Sequence, residues 1–173
     1  MFRWPPQSVS YFKLRLLGLL IVYDVGLLMA HSIDRSALVF HSSERMYSIV
    51  NDIASYPAFL PWCSDALIVS HDDSEMIATL GVAKGSMRQQ FTTRNCFIQH
   101  NEIKMELVEG PFRYLSGVWQ FKPLETTACK VMLKLDFDFD SQLAKMALAS
   151  IFNQAANTMV DAFCKRANEV YGR

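Results

Sequence analysis

The chain has 173 residues, a length that suits one domain, and its hydrophobic fraction of 51% is too high for a disordered protein. Its 17 basic and 17 acidic residues cancel, which excludes a global field that draws the protein to nucleic acid or an anionic membrane, although a local basic patch stays open. Its four cysteines form no CxxC pair, which excludes an ordinary structural zinc site and indicates buried thiols in a reducing compartment such as the cytoplasm.

Residues 1–31 differ from the rest of the chain and are interpreted as an N-terminal extension. The run 14–30 is mostly apolar and follows Arg3 and Lys13, as in a secretory signal or a membrane anchor. Asp24 interrupts this run, and a charge there costs about 2.5–3.5 kcal/mol on insertion into a membrane. Three interpretations stay open: translation that starts at Met29, an apolar anchor or signal, and an extra helix docked on the domain. Residues 32–173 form the domain itself.

The sequence of this domain predicts a strand, two helices, a series of strands and a final helix. Residues 32–40 alternate as a strand, Ser42 can cap the helix that follows, and Pro57 and Pro61 suit the start and the end of a second, short helix. Between residues 65 and 138, apolar and polar residues alternate between short turns, most clearly at 130–139. This pattern indicates an antiparallel meander of about six strands.

Residues 141–171 have the apolar spacing of a long helix with one face on a core, from Leu143 through Ile151 and Met159 to Val170. Because strands and helices do not alternate, we expect an α+β fold. A curved antiparallel sheet of about six to seven strands would grip this C-terminal helix, with two short helices after the first strand. Incomplete contact between helix and sheet would leave an apolar cavity, which we expect to measure about 300–1,000 Å³.

Apolar side chains at the predicted boundary between helix and sheet are the candidate cavity wall. They are more numerous than a two-layer core of this size needs, although a fully packed core explains the same composition. The candidates are Tyr56, Phe59, Trp62, Phe91, Phe112, Trp119, Phe152, Ala156, Met159 and Phe163. Such a wall suits a small apolar ligand.

The sequence carries none of the usual catalytic or metal-binding motifs. Asp136, Asp138 and Asp140 share one face of a strand, but lysines share it too, so we interpret it as the wet face of the sheet and not as a metal site. An enzyme that used the cavity could draw only on Tyr56, Tyr114 and Glu109. We therefore expect a non-catalytic protein with no metal and no required cofactor.

Four basic residues on neighbouring predicted strands could contact RNA phosphate. They are Arg88, Arg94, Lys104 and Arg113. An ordinary charged surface, balanced by Glu102 and Glu106, explains the same residues and is the interpretation that the sequence alone favours. We expect no binding to DNA, because the net charge is zero.

Five separated motifs occur along the chain, at residues 51–63 (NDIASYPAFLPWC), 91–95 (FTTRN), 109–121 (EGPFRYLSGVWQF), 152–153 and 160–163. In these motifs and their order the chain resembles the family of bacterial RatA and mitochondrial coenzyme Q-binding proteins, and the resemblance covers residues 32–172. The resemblance implies a helix-grip fold of the START and polyketide-cyclase type. Residues 1–30 lie outside it, which favours the start at Met29.

The resemblance also implies a function. It implies non-catalytic binding of an isoprenoid quinone such as ubiquinone, or of a similar lipid, in support of respiratory electron transport. Bacterial members are described as ribosome association toxins, which bind the large ribosomal subunit and block subunit joining. A cyclase or dehydratase that uses the same cavity is a lesser alternative. The expected partners are therefore a quinone or lipid, the large ribosomal subunit and, transiently, a membrane surface, for a protein located in the cytoplasm.

Overall fold

A computed structural model describes residues 31–172, apart from the side chain of Ala156. The predicted extension at residues 1–31 therefore lies almost wholly outside the described residues. The elements in chain order are β1 (His31–Val39), α1 (Ser43–Asn51), a 3₁₀ helix (Ile53–Ala58), β2 (Cys63–His71), β3 (Glu75–Lys84), β4 (Met87–Ile98), β5 (Glu102–Glu109), β6 (Phe112–Glu125), β7 (Ala128–Phe139) and α2 (Gln142–Tyr171).

The seven strands form one antiparallel sheet in the order β1-β7-β6-β5-β4-β3-β2. Strands β2 to β7 pair with their neighbours in sequence, as short turns predict, and β1 closes the series beside β7. The predicted α+β class and the strand number are confirmed. We call the side of the sheet that faces α2 the inner face and the opposite side the outer face.

The two short helices follow β1, as the sequence predicts, but the second one differs in detail. Ser42 caps α1, and its Oγ accepts a hydrogen bond from the backbone N–H of Arg45 at 3.3 Å. The second helix is a 3₁₀ helix that ends at Ala58, so Pro57 lies in its last turn and does not begin it. Pro57 has no N–H to donate to the carbonyl three residues before it. Just beyond the helix, the N–H of Leu60 donates to the carbonyl of Tyr56 at 2.9 Å.

Strand β7 shows the predicted alternation, with one exception. Val131, Leu133 and Phe137 are fully buried on the inner face. Asp138 was expected on the wet face beside Asp136, but it is only 8% exposed. It accepts a hydrogen bond from the N–H of Phe139 at 3.0 Å, which offsets the cost of burying its carboxylate. The three aspartates therefore do not form one solvated row.

Helix α2 is 30 residues long, and its buried stripe is narrower than predicted. Leu148, Phe152 and Phe163 are buried, whereas Leu143 is 78% and Val170 is 48% exposed. Leu143 precedes Leu148 by five positions, which at about 100° per residue places the two side chains about 140° apart around the helix. The prediction that Leu143 and Val170 belong to the core stripe is therefore wrong. Among residues 31–172, no helix is long and apolar enough to cross a bilayer.

Candidate ligand cavity and charged outer face

A cavity of about 70 Å³ lies between α2 and the inner face of the sheet. Six of the ten predicted wall residues border it: Tyr56, Trp62, Phe91, Trp119, Phe152 and Met159. Strands β4 and β6 supply Phe91 and Trp119, the segment from α1 to β2 supplies Tyr56 and Trp62, and α2 supplies Phe152 and Met159. The cavity thus lies between α2 and the sheet, and its use as a ligand site stays a prediction.

Three of the predicted wall residues belong to the packed core behind the wall. Phe163 is fully buried, with its ring 5.1 Å from Tyr56 and 5.2 Å from both Phe59 and Trp119. Phe112 packs edge-on against Phe152 at 4.8 Å. None of Phe59, Phe112 and Phe163 borders the cavity. The side chain of Ala156 lies outside the described part of the chain, and its neighbour Ala155, which is 3% exposed, borders the cavity.

The cavity is smaller than the volume of about 300–1,000 Å³ that the sequence predicts. Aromatic rings fill the gap edge to face instead of standing back from it, so only about 70 Å³ stays open. At about 10–15 Å³ for each water, this space suits on the order of five waters or one compact chemical group. A longer ligand can enter only if wall side chains such as Phe152 move.

Three polar side chains interrupt the apolar wall. Thr93 and Asn95 are 6% and 2% exposed on β4, where the Thr93 hydroxyl donates to Asn95 Oδ1 at 3.3 Å and Asn95 Nδ2 donates to the carbonyl of Met76 at 3.4 Å. The Oδ1 atom of Asn51 is buried and has no hydrogen-bond partner within residues 31–172. An unpaired buried acceptor costs about 1–3 kcal/mol, which a ligand donor would recover.

The described wall holds no charged side chain. Desolvating an ionised group in such an apolar space is strongly unfavourable unless a counter-charge is present. The cavity therefore suits a neutral ligand with an apolar body and one hydrogen-bonding group, which would lie near Asn51, Thr93 or Asn95.

The candidate acid and base groups do not converge on this cavity. The hydroxyl of Tyr56 donates to the carbonyl of Val50 at 2.5 Å, and burial, together with the nearby Cys63 and Asp52, raises the pKa of Tyr56 well above its ordinary value of 10.0. Tyr56 therefore stays protonated and already has a partner.

The other two nominees for acid–base chemistry lie away from the wall. Tyr114 is 37% exposed, and Glu109 is exposed at the end of β5; neither borders the cavity. In the described chain there is no group of three or more histidine, cysteine or carboxylate side chains that could hold a metal ion. The four cysteines are free thiols, of which Cys63 and Cys129 are buried.

The four candidate RNA contacts lie on strands β4 to β6, but three of them have acidic partners. Arg94 pairs with Glu75 at 3.7 Å and Lys104 with Glu102 at 3.5 Å. Arg113 pairs with the buried Asp138 at 3.3 Å, so it balances that carboxylate. Arg88 is exposed near the start of β4. These partners match the alternative interpretation of a balanced charged surface.

The chain also matches a protein-family model over residues 39–164. That model is described as polyketide cyclase / dehydrase and lipid transport. The chain belongs to this family. The matched residues include strands β2 to β7 and the part of α2 that borders the cavity.

Relatives within this family have two kinds of name. Ribosome association toxin RatA of Pseudomonas aeruginosa is 50% identical over 144 residues, which cover 83% of this chain and 100% of that protein. The RatA of Escherichia coli strain K12 is 44% identical over 139 residues, which cover 80% of this chain and 88% of that protein. The mitochondrial coenzyme Q-binding protein COQ10 homolog B of Xenopus laevis is 28% identical over 144 residues, which cover 81% of this chain and 59% of that protein. The predicted resemblance to both groups is confirmed.

Two solved structures share the fold. The Zhui aromatase/cyclase from Streptomyces sp. R1128 superposes with a TM-score of 0.71 at 15% identity, over 80% of this chain and 93% of that one. A START superfamily protein from Mycobacterium smegmatis gives 0.68 at 19% identity, over 81% and 99% of the two chains. The predicted helix-grip fold is therefore confirmed, and at these identities the similarity concerns the fold alone.

Proposed function

We propose that this chain is a ribosome-association protein of the RatA type, which binds the large ribosomal subunit and blocks subunit joining without catalysing a reaction. One observation carries the proposal: the chain is 50% identical to a protein named ribosome association toxin over the whole length of that protein. The relative named as a coenzyme Q-binding protein is more distant, at 28% identity. The scattered positions of Tyr56, Tyr114 and Glu109 support a non-catalytic role.

Expression of the full chain in bacteria tests this proposal. Sucrose-gradient profiles should show more free subunits and fewer assembled ribosomes after induction, with uninduced cells as the control. The protein should sediment with the large subunit fraction and not with the small one. An unchanged ratio of subunits to assembled ribosomes, at a level of protein that equals the level of ribosomes, would contradict the proposal.

We also propose a second function, that the cavity binds a neutral lipid such as ubiquinone or a related isoprenoid and so supports respiratory electron transport. The uncharged wall and the unpaired Oδ1 of Asn51 favour a ligand of this chemistry. A quinone carbonyl could accept from the Asn95 amide, and a quinol hydroxyl could donate to Asn51. Because the enclosed volume is about 70 Å³, binding requires Phe152 or α2 to move and should therefore be slow.

Solvent extraction of the purified protein followed by mass spectrometry tests the second proposal. Trp62 and Trp119 border the cavity, so quenching of tryptophan fluorescence can follow a titration with ubiquinone. Ala155→Leu should fill the cavity and weaken binding, whereas Gln154→Leu adds the same side chain at an exposed position of α2 and should not. The absence of any co-purifying lipid and of any quenching would contradict the proposal.

A further inference from the structure

Two lysines lie side by side on the outer face of the sheet. Lys130 of β7 is directly opposite Lys122 of β6 and, on its other side, directly opposite Leu38 of β1. Their neighbours Phe121 and Val131 are fully buried on the inner face. Because side chains alternate along a strand, both lysines point outward, with their Cβ atoms about 5 Å apart.

This lysine pair lacks the acidic partners that other lysines of the same face have. Lys134 pairs with Asp34 at 3.6 Å and Lys104 with Glu102 at 3.5 Å. Neither Lys122 nor Lys130 has an ion pair among residues 31–172. Like charges directly opposite each other destabilise a sheet, so folding alone does not explain this arrangement. An anion placed between the two ammonium groups would relieve the repulsion.

Exposed apolar side chains lie at the end of β1 next to Lys130: Leu38 continues the row, and Phe40 follows two residues further along the chain. Leu38 is 72% exposed, and Phe40, which follows the end of β1, is 90% exposed. A free aromatic ring beside a pair of cations is the arrangement that binds single-stranded nucleic acid, because the ring stacks on a base while the cations contact phosphate. Membrane surfaces are instead recognised by clusters of about four to eight basic residues.

We propose that Lys122, Lys130 and Phe40 form a contact surface for an unpaired segment of ribosomal RNA. The two ammonium groups would contact phosphates, and the ring of Phe40 would stack on a base. This inference rests on the proposed association with the ribosome and assigns that contact to the β1–β7–β6 end of the outer face. It differs from the patch predicted from sequence, in which three of the four basic residues have acidic partners.

The test measures binding of the full chain to purified large ribosomal subunits at several salt concentrations. The double variant Lys122→Gln/Lys130→Gln should make the negative slope of log affinity against log salt shallower by about 1.4, since each phosphate contact on a single strand contributes about −0.7. The control Lys104→Gln/Lys134→Gln removes the same charge from ion-paired lysines of the same face and should leave the slope nearly unchanged. The melting temperature of Lys122→Gln/Lys130→Gln should stay the same or rise, because the repulsion is gone.

Phe40→Ala provides an independent variant that should not affect folding, because the side chain is 90% exposed. It should weaken binding by about 5- to 150-fold, the range expected for one base stacked on an aromatic ring. This inference alone would be overturned if the wild type binds the subunit and all three variants, the two double variants and Phe40→Ala, bind it with the affinity and salt slope of the wild type. Failure of the wild-type chain to bind the subunit would overturn the proposed ribosome association and this inference with it. Binding to anionic phosphatidylserine vesicles but not to the subunit would have the same result.

Discussion

Phe152 joins α2 to the sheet, so its truncation gives the clearest measure of how the fold is held together. Its ring lies 4.8 Å from Phe112, 5.6 Å from Phe91 and 6.0 Å from Phe139, and it is 5% exposed. Replacing a buried phenylalanine by alanine costs about 3–5 kcal/mol, which combines the lost burial and the cavity left behind. At about 3 °C for each kcal/mol in a domain of this size, we expect Phe152→Ala to melt about 12 °C below the wild type.

Urea unfolding followed by circular dichroism gives the free energy of unfolding, and Leu143→Ala is the control on the same helix. Leu143 is 78% exposed, so its truncation should cost less than about 0.5 kcal/mol. Phe152→Ala also enlarges the existing cavity, so benzene at ten times its dissociation constant should restore about 1.4 kcal/mol to the variant. A cost below about 1 kcal/mol, or equal costs for the two variants, would refute the assignment of Phe152 to the core.

Three further predictions concern single groups. Gly110→Ala should destabilise the domain by about 2–4 kcal/mol in urea unfolding, because Gly110 has a φ of 151° and a Cβ there would lie 2.6 Å from the Cβ of Phe91. Tyr56→Phe should cost about 1 kcal/mol by the same assay, since the carbonyl of Val50 loses its donor. Burial raises the pKa of the Cys63 thiol from 9.0 to about 11, so its contribution to stability is complete below pH 9 and should be lost as the pH rises through 11 in a series of melting curves.

The features that the sequence predicts correctly are those set by neighbouring residues. The alternation around Val131 and Leu133 specifies one buried face of β7, and Ser42 caps α1 because its side chain reaches a backbone N–H three residues further on. Tyr56 and Trp62 border the cavity because the segment between α1 and β2 is short and must cross the space beside the sheet. These predictions need no knowledge of strand register.

The features that the sequence does not predict depend on contacts between distant segments. Phe163 meets Tyr56 and Trp119 only after α2 packs on the sheet, so nothing in its local pattern distinguishes core from cavity wall. The pairing of Lys122 with Lys130 requires the register of β6 and β7, and so does the contact of Asp138 with Arg113. Composition and spacing leave these alternatives open.

Sedimentation of the full chain with separated ribosomal subunits tests the central claim most directly. We predict that the protein pellets with purified large subunits in a saturable manner, does not pellet with small subunits, and lowers the yield of assembled ribosomes when both subunits are mixed. The 50% identity to a RatA over its whole length is the basis for this expectation. Protein that stays in the supernatant with both subunits, at concentrations of ribosome in the micromolar range, would contradict the account.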